Sequence, residues 1–449
     1  MQNLKITKLE KHYNQPLIEN INISHSGDNL VALIGDNGCG KSTLLKILAG
    51  VESSDGGSAD WIPEPRIGYM PQEIADYATL SGGQKKIAVL SELIYSYQYD
   101  VLLLDEPDNH LDTEGKKWLV EALKSFSGLV IYISHDRNFL KNTADKVWLM
   151  ENGTIQTYPF GFSKFQEIYA QDQKDQQHLY KVQSIEKKRL QDYVNRTKAR
   201  ASSGPKAAKK YHAALKRLER FVNQMIEDPT KKDVSINISS QKAGKIIKKK
   251  TSIFAHNLCF SYPKGEEVFK SANLHLYIDD KVALIAPNGT GKSTLIKLLL
   301  GELQPDSGTA QIGNDLKLGY YSQEHFATLP PQESPLVVFT ERFFLPEWEV
   351  ESILKKFFFT RATMKAKIGH LSGGQRSRLQ LALFLYTNPD ILILDEPSNH
   401  LDIKSIIALE NFLKEFHGAI FLISHDQELI KNTCDKIYTV RNKQITPHI

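Results

Sequence analysis

Two kinds of hydrophobic pattern alternate along the 449-residue chain. Short continuous aliphatic runs, Leu30 to Ile34, Val101 to Leu104 and Val130 to Ile133, leave no position for water, and they predict parallel strands buried on both faces. Leu4 to Leu9 alternates apolar with polar instead and predicts a half-buried strand. Runs of the first kind return near the end, at Ile391 to Leu394 and Phe421 to Ile423. From Ser163 to about Arg200 there is neither proline nor glycine, and Phe165, Ile168, Leu179, Val182, Ile185 and Tyr193 fall mostly on helical spacings. Ser202-Ser-Gly-Pro205 interrupts that pattern. Tyr211, Leu215, Leu218, Val222 and Met225 resume it, stopping before Asp228-Pro229. The segment predicts two antiparallel helices with one apolar seam, the first of about 35 residues and about 50 Å long.

The buried runs deliver chemistry at their carboxyl ends. Leu30 to Ile34 leads into Gly35-Asp-Asn37-Gly38-Cys-Gly40-Lys41-Ser42-Thr43 and an aliphatic helix to Leu48. This is the phosphate-loop pattern GxxxxGK[ST] in a strand-loop-helix setting. Its glycines let backbone N–H groups crowd phosphates, the helix directs its positive end at them, and Lys41 adds a point charge. Ser42 is a candidate Mg²⁺ ligand. The run at Val101 ends in Asp105-Glu106-Pro107, two carboxylates costly to keep charged at a buried strand end unless occupied. Asp105 is expected in the Mg²⁺ shell, with Glu106 polarising the water that attacks the γ-phosphate. The run at Val130 delivers His135 to the same edge, where open parallel sheets gather their ligands.

The order of parts is written twice. Lys292 follows Lys41 by 251 residues, while Ser372, Glu396 and His425 follow Ser81, Glu106 and His135 by 291, 290 and 290. Such near-constant offsets mark a duplication. The second phosphate loop supplies Asn288, Gly289, Gly291, Lys292, Ser293 and Thr294; the second metal strand ends in Asp395-Glu396. Each half also carries Leu-Ser-Gly-Gly-Gln, as Ser81-Gly82-Gly83-Gln84 and Ser372-Gly373-Gly374-Gln375. Two differences separate the copies. Seven residues lie between Gln72 and Leu80, but 47 between Gln323 and Leu371, so a helical subdomain is expected in the second half alone. The second loop begins with Ala286 where the first has Gly35, which requires a negative φ there and predicts two ATP sites of unequal activity.

Composition narrows the function classes. No apolar stretch approaches the roughly 18 residues of a membrane span, and no secretory leader follows Met1, so a cytoplasmic location is expected. Cys39, Cys259 and Cys434 make neither a disulfide framework nor a zinc pattern. The net charge of +4 conceals a split: Ser163 to Lys250 holds 22 Lys/Arg against 9 Asp/Glu, a net of +13, leaving −9 for the remainder. Arg196, Lys198, Arg200, Lys206, Lys209 and Lys210 crowd the predicted turn, with Tyr211 and His212 beside them. Basic side chains with neighbouring rings suit RNA phosphates and bases.

Both halves resemble nucleotide-binding domains of the ATP-binding cassette superfamily, in which phosphate loop, Leu-Ser-Gly-Gly-Gln, Asp-Glu-Pro and Ser-His-Asp follow in this order. The resemblance implies an α/β fold: two cassettes with mostly parallel sheets, residues 1–160 and 251–449, joined by a basic helical hairpin at 161–250. It implies that Gln72 and Gln323 contact Mg²⁺, that Tyr13 and Tyr262 stack on adenine, and that Asn109 to Asp112 and Asn399 to Asp402 cross between cassettes. Ser81 to Gln84 would then close over the site of Lys292, and Ser372 to Gln375 over that of Lys41. Two cassettes joined by such a hairpin resemble the ABC-F family. That resemblance implies a monomeric ATPase without membrane contact that occupies the ribosomal E site when ATP-bound and directs its hairpin at P-site tRNA and the peptidyl-transferase region of 23S rRNA in the 50S subunit. Members that rescue ribosomes from antibiotics often have an abridged first cassette, which favours resistance over general translation. An importer subunit predicts a short neutral linker, and a DNA-maintenance ATPase a coiled coil inside one cassette; neither matches this order of segments.

Overall fold

The computed structural model describes residues 2–13, 16–72, 82–200, 204–225, 251–263, 265–313, 315–321, 329–357, 359–371, 373–387, 389–399 and 401–447. The chain divides into two compact units, Met1–Phe162 with Ser235–Ile449, and Ser163–Val234.

The first cassette runs β1 (Asn3–His12), β2 (Pro16–Ser26), β3 (Leu30–Gly35), α1 (Lys41–Leu48), β4 (Gly56–Ile62), β5 (Ile67–Met70), α2 (Gly82–Tyr95), β6 (Val101–Asp105), α3 (Thr113–Ser125), β7 (Leu129–Ile133), α4 (Arg137–Thr143), β8 (Lys146–Glu151) and β9 (Thr154–Tyr158). Helices α5 (Phe162–Ala199) and α6 (Pro205–Gln224) follow. The second cassette runs β10 (Thr251–Ser261), β11 (Glu267–Tyr277), β12 (Lys281–Ile285), α7 (Lys292–Leu299), β13 (Ser307–Ile312), β14 (Leu318–Tyr321), α8 (Pro335–Phe343), α9 (Glu347–Lys356), α10 (Arg361–Lys365), α11 (Gly373–Tyr386), β15 (Ile391–Asp395), α12 (Ile403–Glu415), β16 (Ala419–Ile423), α13 (Gln427–Thr433), β17 (Lys436–Arg441) and β18 (Gln444–Pro447).

Each cassette pairs a three-stranded antiparallel sheet, β2-β1-β4 or β11-β10-β13, with a six-stranded sheet, β5-β6-β7-β3-β8-β9 or β14-β15-β16-β12-β17-β18. Five strands of each larger sheet are parallel, and the last is antiparallel. The continuous aliphatic runs are explained by two cores, one on each face. In the second cassette Leu392, Leu394, Ile420 and Leu422 join the core built with α8, α9, α11 and α12. Their neighbours Ile391, Ile393, Phe421 and Ile423 point into the core under the antiparallel sheet and α7. Successive strand side chains alternate faces, so a strand buried on both sides shows no polar interval.

The 47-residue interval of the second cassette holds α8, α9 and α10, anchored in the core by Phe339, Val350, Leu354 and Met364. Its seven-residue counterpart in the first cassette, residues 73–79, lies outside the described residues.

In the hairpin unit, α5 and α6 pack through Leu190, Val194, Ala214 and Leu218, with Tyr211, Leu215 and Phe221 at the margin. This corrects the seam expected from spacing. Leu179, Val182, Ile185, Tyr193 and Val222 are exposed, at 46, 50, 57, 40 and 38 %. The 38-residue α5 is nearly twice the length of the 20-residue α6, so α6 reaches only the distal half of α5 in an antiparallel pair.

Candidate nucleotide sites

The two phosphate loops share a backbone solution. Gly40 and Gly291 cap α1 and α7 in the left-handed region, at φ 107° and 95°. A Cβ on Gly40 would lie 2.9 Å from Met150 Cε, and one on Gly291 2.3 Å from Val268 Cγ1. Each turn therefore admits only glycine. The loops part at their first residue. Gly35 has φ +153°, and a Cβ there would sit 2.2 Å from the Met150 carbonyl oxygen. Ala286 is not among the residues of positive φ, as its side chain requires. Asn37, Gly38, Asn288 and Gly289 complete the turns; Gly38 and Gly289 have positive φ and open space beside them. Each turn carries its lysine, serine and threonine, Lys41-Ser42-Thr43 and Lys292-Ser293-Thr294, into the first turn of the helix.

The lysines settle differently. Lys41 donates to the carbonyls of Gly35 and Asp36 at 2.9 and 3.0 Å. Lys292 donates to the Ala286 carbonyl at 3.1 Å and to His425 Nε2 at 2.6 Å, and stands 3.6 Å from Glu396 Oε1. His425 and Glu396 are themselves 3.4 Å apart. Burial, then the Lys292 charge, pushes His425 down to about 3, leaving a neutral imidazole able to accept the ammonium proton. Burial also pushes Glu396 up to about 7 despite Lys292.

A carboxyl group whose folded value lies above its unfolded 4.5 costs stability as pH rises between 4.5 and about 7. Glu396→Gln removes this cost. Nucleotide-free Glu396→Gln is expected to melt above wild type at pH 8, with the gain shrinking to nothing near pH 4, as thermal denaturation across pH will read.

In the first site Glu106 accepts from Gln72 Nε2 at 2.9 Å and from Asn109 Nδ2 at 2.8 Å, with His135 Nε2 4.0 Å away. Both glutamates adopt the left-handed region, at φ 49° and 48°, and both amides donate to the neighbouring strand, to Ile133 and Ile423 at 3.1 and 2.9 Å. A non-glycine residue in this region is strained by about 1–3 kcal/mol and is characteristic of functional positions. Asp105, at the end of β6, is pushed up to about 6 by burial, while the Ser42 hydroxyl hydrogen-bonds the same carboxyl. Its Oδ1 is buried without a hydrogen-bond partner. A buried carboxylate oxygen left open beside a serine hydroxyl fits a hard divalent cation. Ser293 opens α7 and Asp395 ends β15 in the corresponding places; Gln323 lies outside the described residues.

The tyrosines stand beside the loop threonines. Tyr262 Oη and Thr294 Oγ1 are 3.1 Å apart. Tyr13, 61 % exposed, hydrogen-bonds both Thr43 and Glu52.

Each loop also meets the other cassette. Asn37 N donates to Asp402 Oδ2 and Asn288 N to Asp112 Oδ2, both at 3.2 Å. Asn288 Nδ2 donates to the His110 carbonyl at 2.9 Å, and a Cβ on Gly83 would lie 3.4 Å from that same Nδ2. The start of α2, with Gly82, Gly83 and Gln84, is thus brought to the second phosphate loop. Gly373, Gly374 and Gln375 open α11; Ser81 and Ser372 lie outside the described residues.

Spacing gives no hint of a buried ion cluster between cassettes. Arg137, 5 % exposed at the start of α4, reaches Glu410 on α12, Glu428 on α13 at 3.0 Å, and Asp426 at 3.8 Å. Lys141 joins Glu428. Burial alone would lower the Arg137 guanidinium, but Glu410, Asp426 and Glu428 outweigh it.

Doubled phosphate loops at the carboxyl ends of two parallel sheets, each touched by the opposite subdomain's loop, define an ATP-binding cassette ATPase. A family model described as ABC transporter matches residues 18–76 and 269–399, and a second of the same description matches residues 148–238, which span α5 and α6. Over 96 % of its length the chain is 30 % identical to the ribosome protection protein VmlR of Bacillus subtilis, covering 85 % of that protein. Over 82 % it is 32 % identical to ABC transporter F family member 3 of Arabidopsis thaliana, covering 50 % of it. The chain belongs to the ABC-F family; it binds ATP and hydrolyses it. The fold is shared with a solved structure of an archaeal ribosome recycling factor, aABCE1, at TM-score 0.62 and 15 % identity over 98 % of this chain and 89 % of that one. Among the described residues no helix is long and apolar enough to cross a membrane.

Proposed function

We propose that this ATPase is a cytoplasmic ribosome protection factor, binding the E site of the 50S subunit when ATP-bound and turning its hairpin toward P-site tRNA and 23S rRNA. The observation that carries this reading is the hairpin end. Arg196, Lys198 and Arg200 at the end of α5, and Lys206, Lys209 and Lys210 at the start of α6, are all exposed. Tyr211 and His212 stand ring to ring beside them at 5.4 Å. Six solvated cations with two rings on a slender support suit backbone phosphates and stacked bases. Family membership and the similarity to VmlR, a ribosome protection protein, support the ribosome as the source of that RNA.

In the catalytic cycle, each phosphate loop directs its backbone amides and its lysine at the ATP phosphates. Entry of the γ-phosphate gives Lys292 an anion to exchange for Glu396 and His425, leaving the carboxylate available to accept a proton from water. In the first site Glu106, held by Gln72 and Asn109, accepts the proton without such an exchange, while His135 and His425 orient the terminal phosphate. The glycine turns of α2 and α11 exclude water from the site across the interface. Ser42, Asp105 and Gln72, and in the second site Ser293, Asp395 and Gln323, would hold Mg²⁺, which neutralises charge developing on the phosphates. Both sites sit in one chain, so closure is intramolecular and needs no second copy.

Neutralising Arg196, Lys198, Lys206, Lys209 and Lys210 together is expected to weaken ribosome co-sedimentation and flatten its dependence on salt, the logarithmic slope falling by about one for each phosphate these side chains neutralise in the wild type. ATPase activity without ribosomes stays unchanged. The resistance role is tested by susceptibility of cells to lincosamides, streptogramins A, pleuromutilins and macrolides with and without the protein. Protection against none of them favours a general translation factor.

A further inference from the structure

Lys86 is not used by this cycle, yet it is 4 % exposed on α2. Its Nζ donates to the carbonyl of Glu106, and the carboxylates of Asp108, Glu106 and Asp105 draw on its charge. Burial nevertheless lowers its affinity for the proton. A buried lysine directed at a main-chain oxygen is an expensive device where packing alone is needed. We propose that Lys86 is a positioning residue for Glu106, fixing the left-handed turn that aims the first site's carboxylate.

The turn is held from three sides. The Glu106 amide donates to Ile133 at 3.1 Å, and the Asn109 amide closes on the Glu106 carbonyl at 3.3 Å. Lys86 makes a second, charge-assisted bond to that carbonyl, of the stronger kind. With its backbone fixed at φ 49°, the side chain arrives between Gln72, Asn109 and His135. The helix carrying Lys86 begins beside Asn288 of the second phosphate loop, so one rigid element touches one site's loop and the main-chain turn that carries the other site's carboxylate. The second cassette has no lysine at this place: at the repeat offset of 291 the sequence has Ser377, which carries no charge and has a far shorter side chain.

The inference rests on Glu106 being the general base, and the test separates the two. ATPase kinetics are measured for Lys86→Met, Lys86→Arg, Glu106→Gln and the double variant Lys86→Met/Glu106→Gln, all made on a Glu396→Gln parent so that the turnover read is that of the first site, each checked by its melting curve; Lys86→Gln replaces Lys86→Met if the latter does not fold. Lys86→Met is expected to lose first-site turnover by about ten- to a hundredfold, as misplacement of a reacting group does, with KM for ATP unmoved and Lys86→Arg restoring most of the loss. In the Glu106→Gln background Lys86→Met is expected to cost nothing further, because it acts through that carboxylate. A loss persisting in that background, a KM that rises with the fall in kcat, or turnover in Lys86→Met equal to that of the Glu396→Gln parent overturns the proposal. If Glu106→Gln itself leaves turnover intact, the assignment of the base fails first.

Discussion

Replacing Glu106 and Glu396 together by glutamine is expected to reduce ATP turnover at least about a hundredfold, the scale on which loss of a catalytic proton acceptor acts, while leaving ATP binding intact. Glutamine keeps the size and the hydrogen-bonding oxygen of each side chain, so Gln72 and Asn109 still have a partner, and what disappears is the site that takes the proton. Steady-state phosphate release measures the first quantity and equilibrium binding of a fluorescent ATP analogue the second. The single variants are expected to differ from one another. Glu106 rests on neutral amide donors at 2.8 and 2.9 Å, whereas Glu396 must first give up Lys292 at 3.6 Å. The second site therefore carries a rearrangement that the first does not, in addition to beginning its loop with Ala286. Equal residual turnover in Glu106→Gln and Glu396→Gln contradicts this account of two unlike sites.

The second large effect concerns the joint between cassettes. Arg137→Ala is expected to destabilise the protein by about 3–5 kcal/mol, because removing one partner of a buried ion pair strands the other. Glu410 is 4 % exposed and has Asn432 Nδ2 at 3.2 Å as its other neighbour. The cluster is one-sided: at the repeat offset of 290, Arg137 corresponds to Gln427 and Glu410 to Val120. An apolar pair is the natural control, since replacing both members of a buried ion pair often costs little. Urea denaturation is expected to show Arg137→Met/Glu410→Met far closer to wild type than either single variant. Additive losses in the double variant would mean that the two residues act separately.

What the chain discloses in advance follows from which interactions are local. Phosphate loops, metal strands and their duplication are legible because each motif is contiguous and its strand-loop-helix setting is set by nearby hydrophobic runs. The repeat offsets also lead to the second cassette's helical subdomain, since an interval of 47 residues has to hold something. The hairpin shows the limit. Helical spacing identifies Leu179, Val182 and Ile185 as apolar positions, but the face that is covered depends on where α6 lies, and the seam runs through Leu190, Val194, Ala214 and Leu218. The Arg137 cluster joins residues up to 291 positions apart, on charges that look like ordinary surface residues in sequence. Lys86 is similarly silent, a second lysine in a Lys-Lys pair whose burial only the fold decides. The grip of Lys292 on His425 and Glu396 joins two motifs that are each legible, through an interaction that neither announces.

On the proposed reading, ATP closes the cassettes and the closed protein engages the ribosome through its basic hairpin. The most direct test is sedimentation of ribosomes from a cell lysate with ATP and the Glu106→Gln/Glu396→Gln variant, which binds ATP without discharging it. The variant is expected to pellet with ribosomes in much greater amount than wild type, and only when ATP is present. Pelleting no stronger than wild type, or equally strong without ATP, contradicts that reading.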